Sequence, residues 1–296
     1  MNSSFPDLLD STTKTILPSV ETKANILPVF NQDDAIGIFQ NKNIVFFGEG
    51  PIRSIYCDLC KLIHNSKILN SSEIKNHFNY HPPYVNETTL ELRKKCPWAD
   101  HIDIRRWVAK KSSTTLFFIH VGSIVGETCP VNIEWLKKIT ENTHIDLVVM
   151  SPDCREVCDR ELQRKQEQFD NKLQLFKSKL SMICSSLKLA FPQSIMMWLP
   201  PQSLRNLNDE QTARVEKFIN ICFDISCGEF NFNFLKHHQN WIKFYEELYE
   251  KDQLYLSGAG VRDINKRISE VVEKLWDRDS QAEPPNKRLK TEHDEN

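Results

Sequence analysis

The stretch NIVFFGEGPIRSIYCDLC, Asn43 to Cys60, sets the turn Gly48-Glu49-Gly50-Pro51 between an apolar run and an amphipathic segment. In an open α/β sheet, ligands bind beyond the carboxyl ends of the strands, so such a turn is a natural mount for a nucleophile or a phosphate. Its apex carries no serine, cysteine or threonine. A phosphate loop needs G-x-G-x-x-G or G-x-x-x-x-G-K-[ST]. Here the third glycine and the lysine are missing, Pro51 removes a backbone donor, and Glu49 would repel an anion. The turn is therefore a disarmed active site or simply a tight turn.

Cys57 and Cys60 have the C-x-x-C spacing of zinc and redox sites. Cys154 and Cys158 could add two thiolates, but no compact second C-x-x-C follows. Both Cys57 and Cys60 fall in an amphipathic segment, where cysteine is a small apolar filler. His237 and His238 are adjacent, and neighbours on a helix point about 100° apart, which suits a surface pair better than one metal. Asp153, Glu156 and Asp159, interleaved with Arg155 and Arg160, read as a solvated helix start. No metal and no cofactor is expected.

The elements that must hold these residues follow from periodicity. Ile44-Val45-Phe46-Phe47 is a continuous apolar run, as a strand buried on both faces requires. After Pro51, Ile52, Ile55, Tyr56, Leu59, Leu62 and Ile63 recur at helical spacing. Further strands are predicted over Thr114–Val121, Ile145–Met150 and Ser194–Leu199, with a short one over Ile221–Ile225. Short helices are predicted over Ala35–Gln40 and Trp135–Thr140, and longer ones over 160–189, Arg205–Cys222, Asn240–Tyr249 and Val261–Trp276. In the 160–189 helix Phe169, Leu173, Phe176, Leu180, Ile183 and Leu187 form one stripe, too short for a coiled coil and suited to lying on a sheet. Residues 66–113 read as loops with short strands between, and Phe230–Phe234 as an edge strand or a loop turning aromatics inward. Strands alternating with helices predict an α/β fold, a three-layer sandwich with a mostly parallel sheet flanked by helices.

The chain has 296 residues, a formal net charge of −2 and 40% hydrophobic residues, enough for one large domain. That charge gives no basic field for nucleic acid. The mean hydropathy is −0.46, and no run reaches the roughly 18 apolar residues of a membrane span. Nine scattered cysteines and a start without an apolar signal segment point to a reducing, intracellular setting. Residues 1–32 read as a flexible arm, 33–278 as the domain and 279–296 as a polar tail. Within the tail, Lys287-Arg288-Leu289-Lys290 forms a basic cluster compatible with nuclear import beside a cytoplasmic location.

In order and spacing, four segments resemble the PC-esterase domain family, a branch of the SGNH (GDSL-like) hydrolases. DDAIGIFQNKNIVFFGEGPIRSIYCDLCKLI looks like its opening, a helix and strand leading to Gly-Asp-Ser, an arginine and a Tyr-x-Asp-Leu helix; Gly48, Arg53, Tyr56, Asp58 and Leu59 fit. IDLVVMSPDCREV is similar to its strand before an asparagine block, and QSIMMWLPPQSL to a later strand with a tryptophan and a following proline. GAGVRDINKRISEVVEKLW is similar to its terminal Gly-Val-His block and helix. The resemblance covers roughly residues 33–276 and implies an SGNH-like sandwich.

It also implies that the chemistry is gone. The nucleophilic serine falls at Gly50, the aspartate before it at Glu49, the oxyanion asparagine at Ser151 and the histidine at Arg262. Glycine cannot attack a carbonyl, and arginine stays protonated. The resemblance thus implies a catalytically inactive binding or scaffold module. These vestigial positions would surround its pocket, and Arg53 and Arg262 would face an anion, or pair with Glu49 and neutralise the pocket. The partner would be a protein or an acylated or anionic ligand. The alternative is an esterase with a relocated nucleophile, Ser54 or Cys57.

Overall fold

The computed structural model describes residues 30–75, 85–93, 102–121, 124, 128–151, 166–200, 208–235, 248–250 and 255–282. Outside them lie residues 1–29 of the expected arm, the charged loop Asp153–Arg160 with Cys154 and Cys158, and residues 240–247 of an expected helix. The same holds for His237-His238 and the basic cluster Lys287–Lys290.

The chain enters through α1 (Gln32–Phe39), three residues earlier than its apolar pattern predicts. Asn31 caps it: the side chain accepts from the amides of Asp33 and Asp34, and the Asp34 carboxylate returns a bond to the Asn31 amide. β1 (Asn43–Gly48) follows, with Ile44 to Phe47 fully buried. α2 (Gly50–Asn65) starts one residue after β1 ends, with proline in its first turn. A short α3 (Ser71–Lys75) comes next.

Three further strands, β4 (Thr114–His120), β5 (Leu147–Ser151) and β6 (Ile195–Trp198), match the predicted apolar runs. Between β4 and β5 lies α4 (Thr128–Thr140), and between β5 and β6 lies α5 (Gln166–Ala190). α6 (Asp209–Phe223), a two-residue edge strand β7 (Asn233–Phe234) and α7 (Gly258–Ala282) complete the described chain. The aromatic run before residue 235 is thus an edge strand, with Phe232 buried beside it.

Two expectations need amending. The strands expected between loops in 66–113 are present and longer than short, β2 (Glu87–Arg93) and β3 (Ile102–Ala109), paired antiparallel, while residues 79–84 and 94–100 of the expected loops lie outside the described residues. Their alternation was masked because β3 buries charges: Asp103 and Arg105 are as enclosed as Ile102 and Ile104. Ile221–Ile225 is no strand. α6 runs through it into a π-helical turn, Asp224–Glu229, because Phe218, Cys222 and Ile225 form one buried helical face.

The seven strands lie in the order β2-β3-β4-β1-β5-β6-β7. β4, β1, β5, β6 and β7 are mutually parallel, and β3 and β2 extend the sheet antiparallel. Ile44 and Phe46 face the layer of α1, α2 and α7; Val45 and Phe47 face that of α4, α5 and α6. The α5 stripe Phe169 to Leu187 is buried against the sheet, as its brevity predicts. The fold is a three-layer α/β/α sandwich with a mostly parallel sheet. Among the described residues no helix is long and apolar enough to cross a membrane.

The end of β1 is packed to contact. A Cβ on Gly48 would stand 2.8 Å from the Ser151 carbonyl oxygen and 2.8 Å from Ile52 Cγ1. A backbone atom cannot yield as a side-chain tip can, so Gly48→Ala is expected to lower stability by about 1–3 kcal/mol in urea unfolding. A loss under 0.5 kcal/mol would show that this junction is loose.

Candidate functional site

The site expected from the sequence lies at the carboxyl edge of the sheet, where the chain leaves β1 for one side and later returns on the other. Register aligns three residues there: Gly48 is level with His120 at the end of β4 and with Ser151 at the end of β5. Glu49 follows with extended backbone at the N-cap of α2. It is buried, and its side chain makes no capping bond. Gly50 opens the helix, and Arg53 is buried in its first turn. Fold and register thus bring Glu49, Gly50 and Ser151 to one edge.

Ser54 and Ser151 line a narrow cleft there, whose other walls include Ile55, Leu199, Pro200 and Leu256. Its enclosed volume is about 20 Å³, room for one water molecule. The Ser54 hydroxyl donates to the Gly50 carbonyl at 3.3 Å, an i to i−4 bond along its own helix. Among the described residues no histidine holds it, as one would hold an activated nucleophile. Glu49, Gly50, Arg53 and Arg262 do not line the cleft.

Arg262 instead forms a clamp between α7 and α2. Its Nε and Nη2 donate to the two oxygens of Asp58 at 2.8 and 3.0 Å, and Nη2 also donates to the Lys67 carbonyl at 2.9 Å. Asn265, one turn on, donates to Asp58 at 3.0 Å and to the Ile55 carbonyl at 3.0 Å. Asp58 is fully buried. Burial raises its pKa, while the bonds from Arg262, the guanidinium charge and Asn265 pull it down; the net shift is upward. The carboxylate partner of Arg262 is thus Asp58 and not Glu49.

A second buried ionic cluster joins α2 to the antiparallel strands. The Tyr56 hydroxyl donates to Glu87 at 2.8 Å, Arg105 Nη1 reaches Glu87 at 3.3 Å, and Arg105 Nε reaches Asp103 at 2.8 Å. Burial alone would lower the Arg105 pKa, but the bond and charge of Asp103, with Glu87, more than offset it and raise it. Tyr56 is raised by burial first and by neighbouring acidic groups second.

Of the five described cysteines, Cys60, Cys184 and Cys222 are buried core filler, and Cys57 and Cys227 are half-buried. Cys60 is buried in the core, and burial first, then Cys57, lifts its pKa well above the ordinary thiol value. Burial pushes Cys184 to about 12 and raises Cys222 as well. Such thiols stay protonated near neutral pH, which disfavours nucleophilic attack by them. Among the described residues no group of three or more His, Cys, Asp and Glu could hold a metal ion.

Sequence reading missed His120. It ends an apolar run and passes for part of a strand; only pairing shows it level with Gly48, buried, with Asn132 of α4 donating to its carbonyl.

No protein-family model matches the chain, and no curated protein matches it. Solved structures similar to it include Axe2, an acetylxylan esterase from Geobacillus stearothermophilus: 12% identity, 80% of this chain and 95% of that one, TM-score 0.44. The lipase/acylhydrolase from Enterococcus faecalis is similar at 12% identity, over 79% of this chain and 96% of that one, TM-score 0.42. LAE5, an α/β hydrolase from the metagenome of Lake Arreo, Spain, is similar at 11% identity, over 77% and 93%, TM-score 0.46. No residue of this chain takes a role from them.

Proposed function

We propose that this chain is a catalytically inactive relative of the PC-esterase branch of SGNH (GDSL-like) hydrolases, working as a binding module. One observation carries the reading. The positions that the resemblance assigns to nucleophile and base hold Gly50, which has no side chain, and Arg262, whose guanidinium is engaged by the buried Asp58. Nucleophile and base act as a unit, and loss of either removes most of a serine hydrolase's rate. Arg262 has a structural task here, one that needs no catalysis.

The ligand of the module is an apolar, acyl-like group. The cleft walls favour it: aliphatic side chains dominate, with Ser54 and Ser151 as polar points. A ligand larger than one water must part these walls.

The test is purified protein incubated with a fluorophosphonate probe and with short acyl esters. No labelling and no hydrolysis above the denatured control is the expected result. Labelling near one equivalent, abolished by Ser54→Ala, would overturn the reading in favour of a relocated nucleophile. Saturable octanoate binding, weakened by Leu256→Glu, is expected for the ligand; non-saturable uptake would overturn the acyl assignment.

A further inference from the structure

Two apolar stripes run along α5. The inner one lies on the sheet; the outer one, Leu175, Met182 and Leu189, faces solvent with exposures of 50%, 57% and 81%. These are three of the five large apolar side chains exposed among the described residues, so one helix concentrates them. Isolated exposed leucines need no explanation, whereas a line of them does. Their seven-residue spacing drifts only about 20° per step, which keeps them in one seam.

We propose that this seam pairs with the same seam of a second copy of the chain, antiparallel, with the two-fold axis at Met182. Leu175 and Leu189 stand seven residues to either side of Met182. Antiparallel pairing therefore matches Met182 with Met182 and each Leu175 with the other copy's Leu189, the self-complementarity that an isologous interface requires. Exposed Ser178 and Ser185 fill the seam between the large residues and let the helices approach closely.

Charge is compatible with this arrangement. Lys179 falls level with the second copy's Ser185 and Lys172 level with Pro192, just past the end of that α5, with no like charge level with either, and their stems can cover the apolar edge. The helix dipoles also oppose. Three exposed apolar side chains per copy remove roughly 700 Å² from water when covered, and the lysine stems bring the total to roughly 1,000 Å², the threshold of a weak specific interface. The dimer is accordingly expected to dissociate in the micromolar range.

Sedimentation of the full chain from about 1 µM to 500 µM tests this, the range following from the interface size. A mass rising from monomer to dimer is expected, and Leu189→Glu should shift the midpoint at least tenfold while leaving far-UV circular dichroism unchanged. Cysteine pairs fix the geometry under mild oxidation, with the wild type as background for its native thiols. Met182→Cys should crosslink to itself, and Leu175→Cys should crosslink to Leu189→Cys but not to itself. A monomer throughout, a dimer indifferent to Leu189→Glu, or self-crosslinking of Leu175→Cys would each overturn the proposal. So would binding of this face to another protein without self-association.

Discussion

Arg262→Ala is expected to lower the stability of the domain by about 3–5 kcal/mol, since it leaves the Asp58 carboxylate buried without its cation. In a domain of this size the melting temperature should drop by roughly 6–20 °C. Asp58 is fully enclosed and Arg262 nearly so, with 12% of its side chain exposed, so solvent screening does little to soften the loss. Asp58→Leu combined with Arg262→Met should recover much of it, because no uncompensated charge is left inside.

The sign of the pH dependence follows from the raised pKa of Asp58, whose first cause is burial. Between its ordinary value and its raised folded value, the folded state binds the proton more tightly than the unfolded chain. The stability difference between wild type and Asp58→Asn should therefore fall as pH rises through that window, then level off above it. Urea unfolding from pH 4 to pH 8 measures it. A loss below 1 kcal/mol in Arg262→Ala would remove the structural task assigned to this residue.

Arg105→Ala should be comparably severe, about 3–5 kcal/mol, because Glu87 and Asp103 would lose the guanidinium between them. Their side chains are only 1% and 5% exposed. Arg105→Lys should recover part of the loss. A point charge cannot reproduce the fork that reaches Asp103 with Nε and Glu87 with Nη1. Tyr56→Phe, which removes one bond to Glu87, should cost about 1–3 kcal/mol. Hydrogen exchange gives the spatial check: amides of β2 and β3 should exchange faster in Arg105→Ala at conditions where β5 and β6 stay protected. Uniform acceleration would mean that the cluster does not hold this edge of the sheet locally.

The same cluster explains why part of the fold was illegible. A pattern reader takes polar residues as exposed, and β3 breaks that rule. Ile102-Asp103-Ile104-Arg105 is buried throughout because Asp103 and Arg105 satisfy each other and Glu87. Glu87 lies 18 positions away from Arg105, so nothing local signals the match. By contrast β1, β4, β5 and β6 are buried by plain apolar runs, and α5 by a strict stripe. Those elements need no distant partner to declare themselves. The capping box that starts α1 was also present in the letters Asn31 and Asp34, but it lies outside the apolar period that placed the helix.

The sequence by itself determined the layered α/β class, the turn after β1 and the residue types at Gly50 and Arg262, because period, turn chemistry and side-chain chemistry are local. Only the tertiary structure decided what Arg262 does. Its partner Asp58 is 204 residues earlier, and whether an arginine at this position faces a cleft or a carboxylate depends on how α7 lies across α2. Likewise, strand pairing alone set Gly48 level with His120 and Ser151, and packing alone left one seam of α5 uncovered while burying the other. A plain apolar period declares itself locally; the meeting of distant charges is settled by the packing of elements that the chain brings together late.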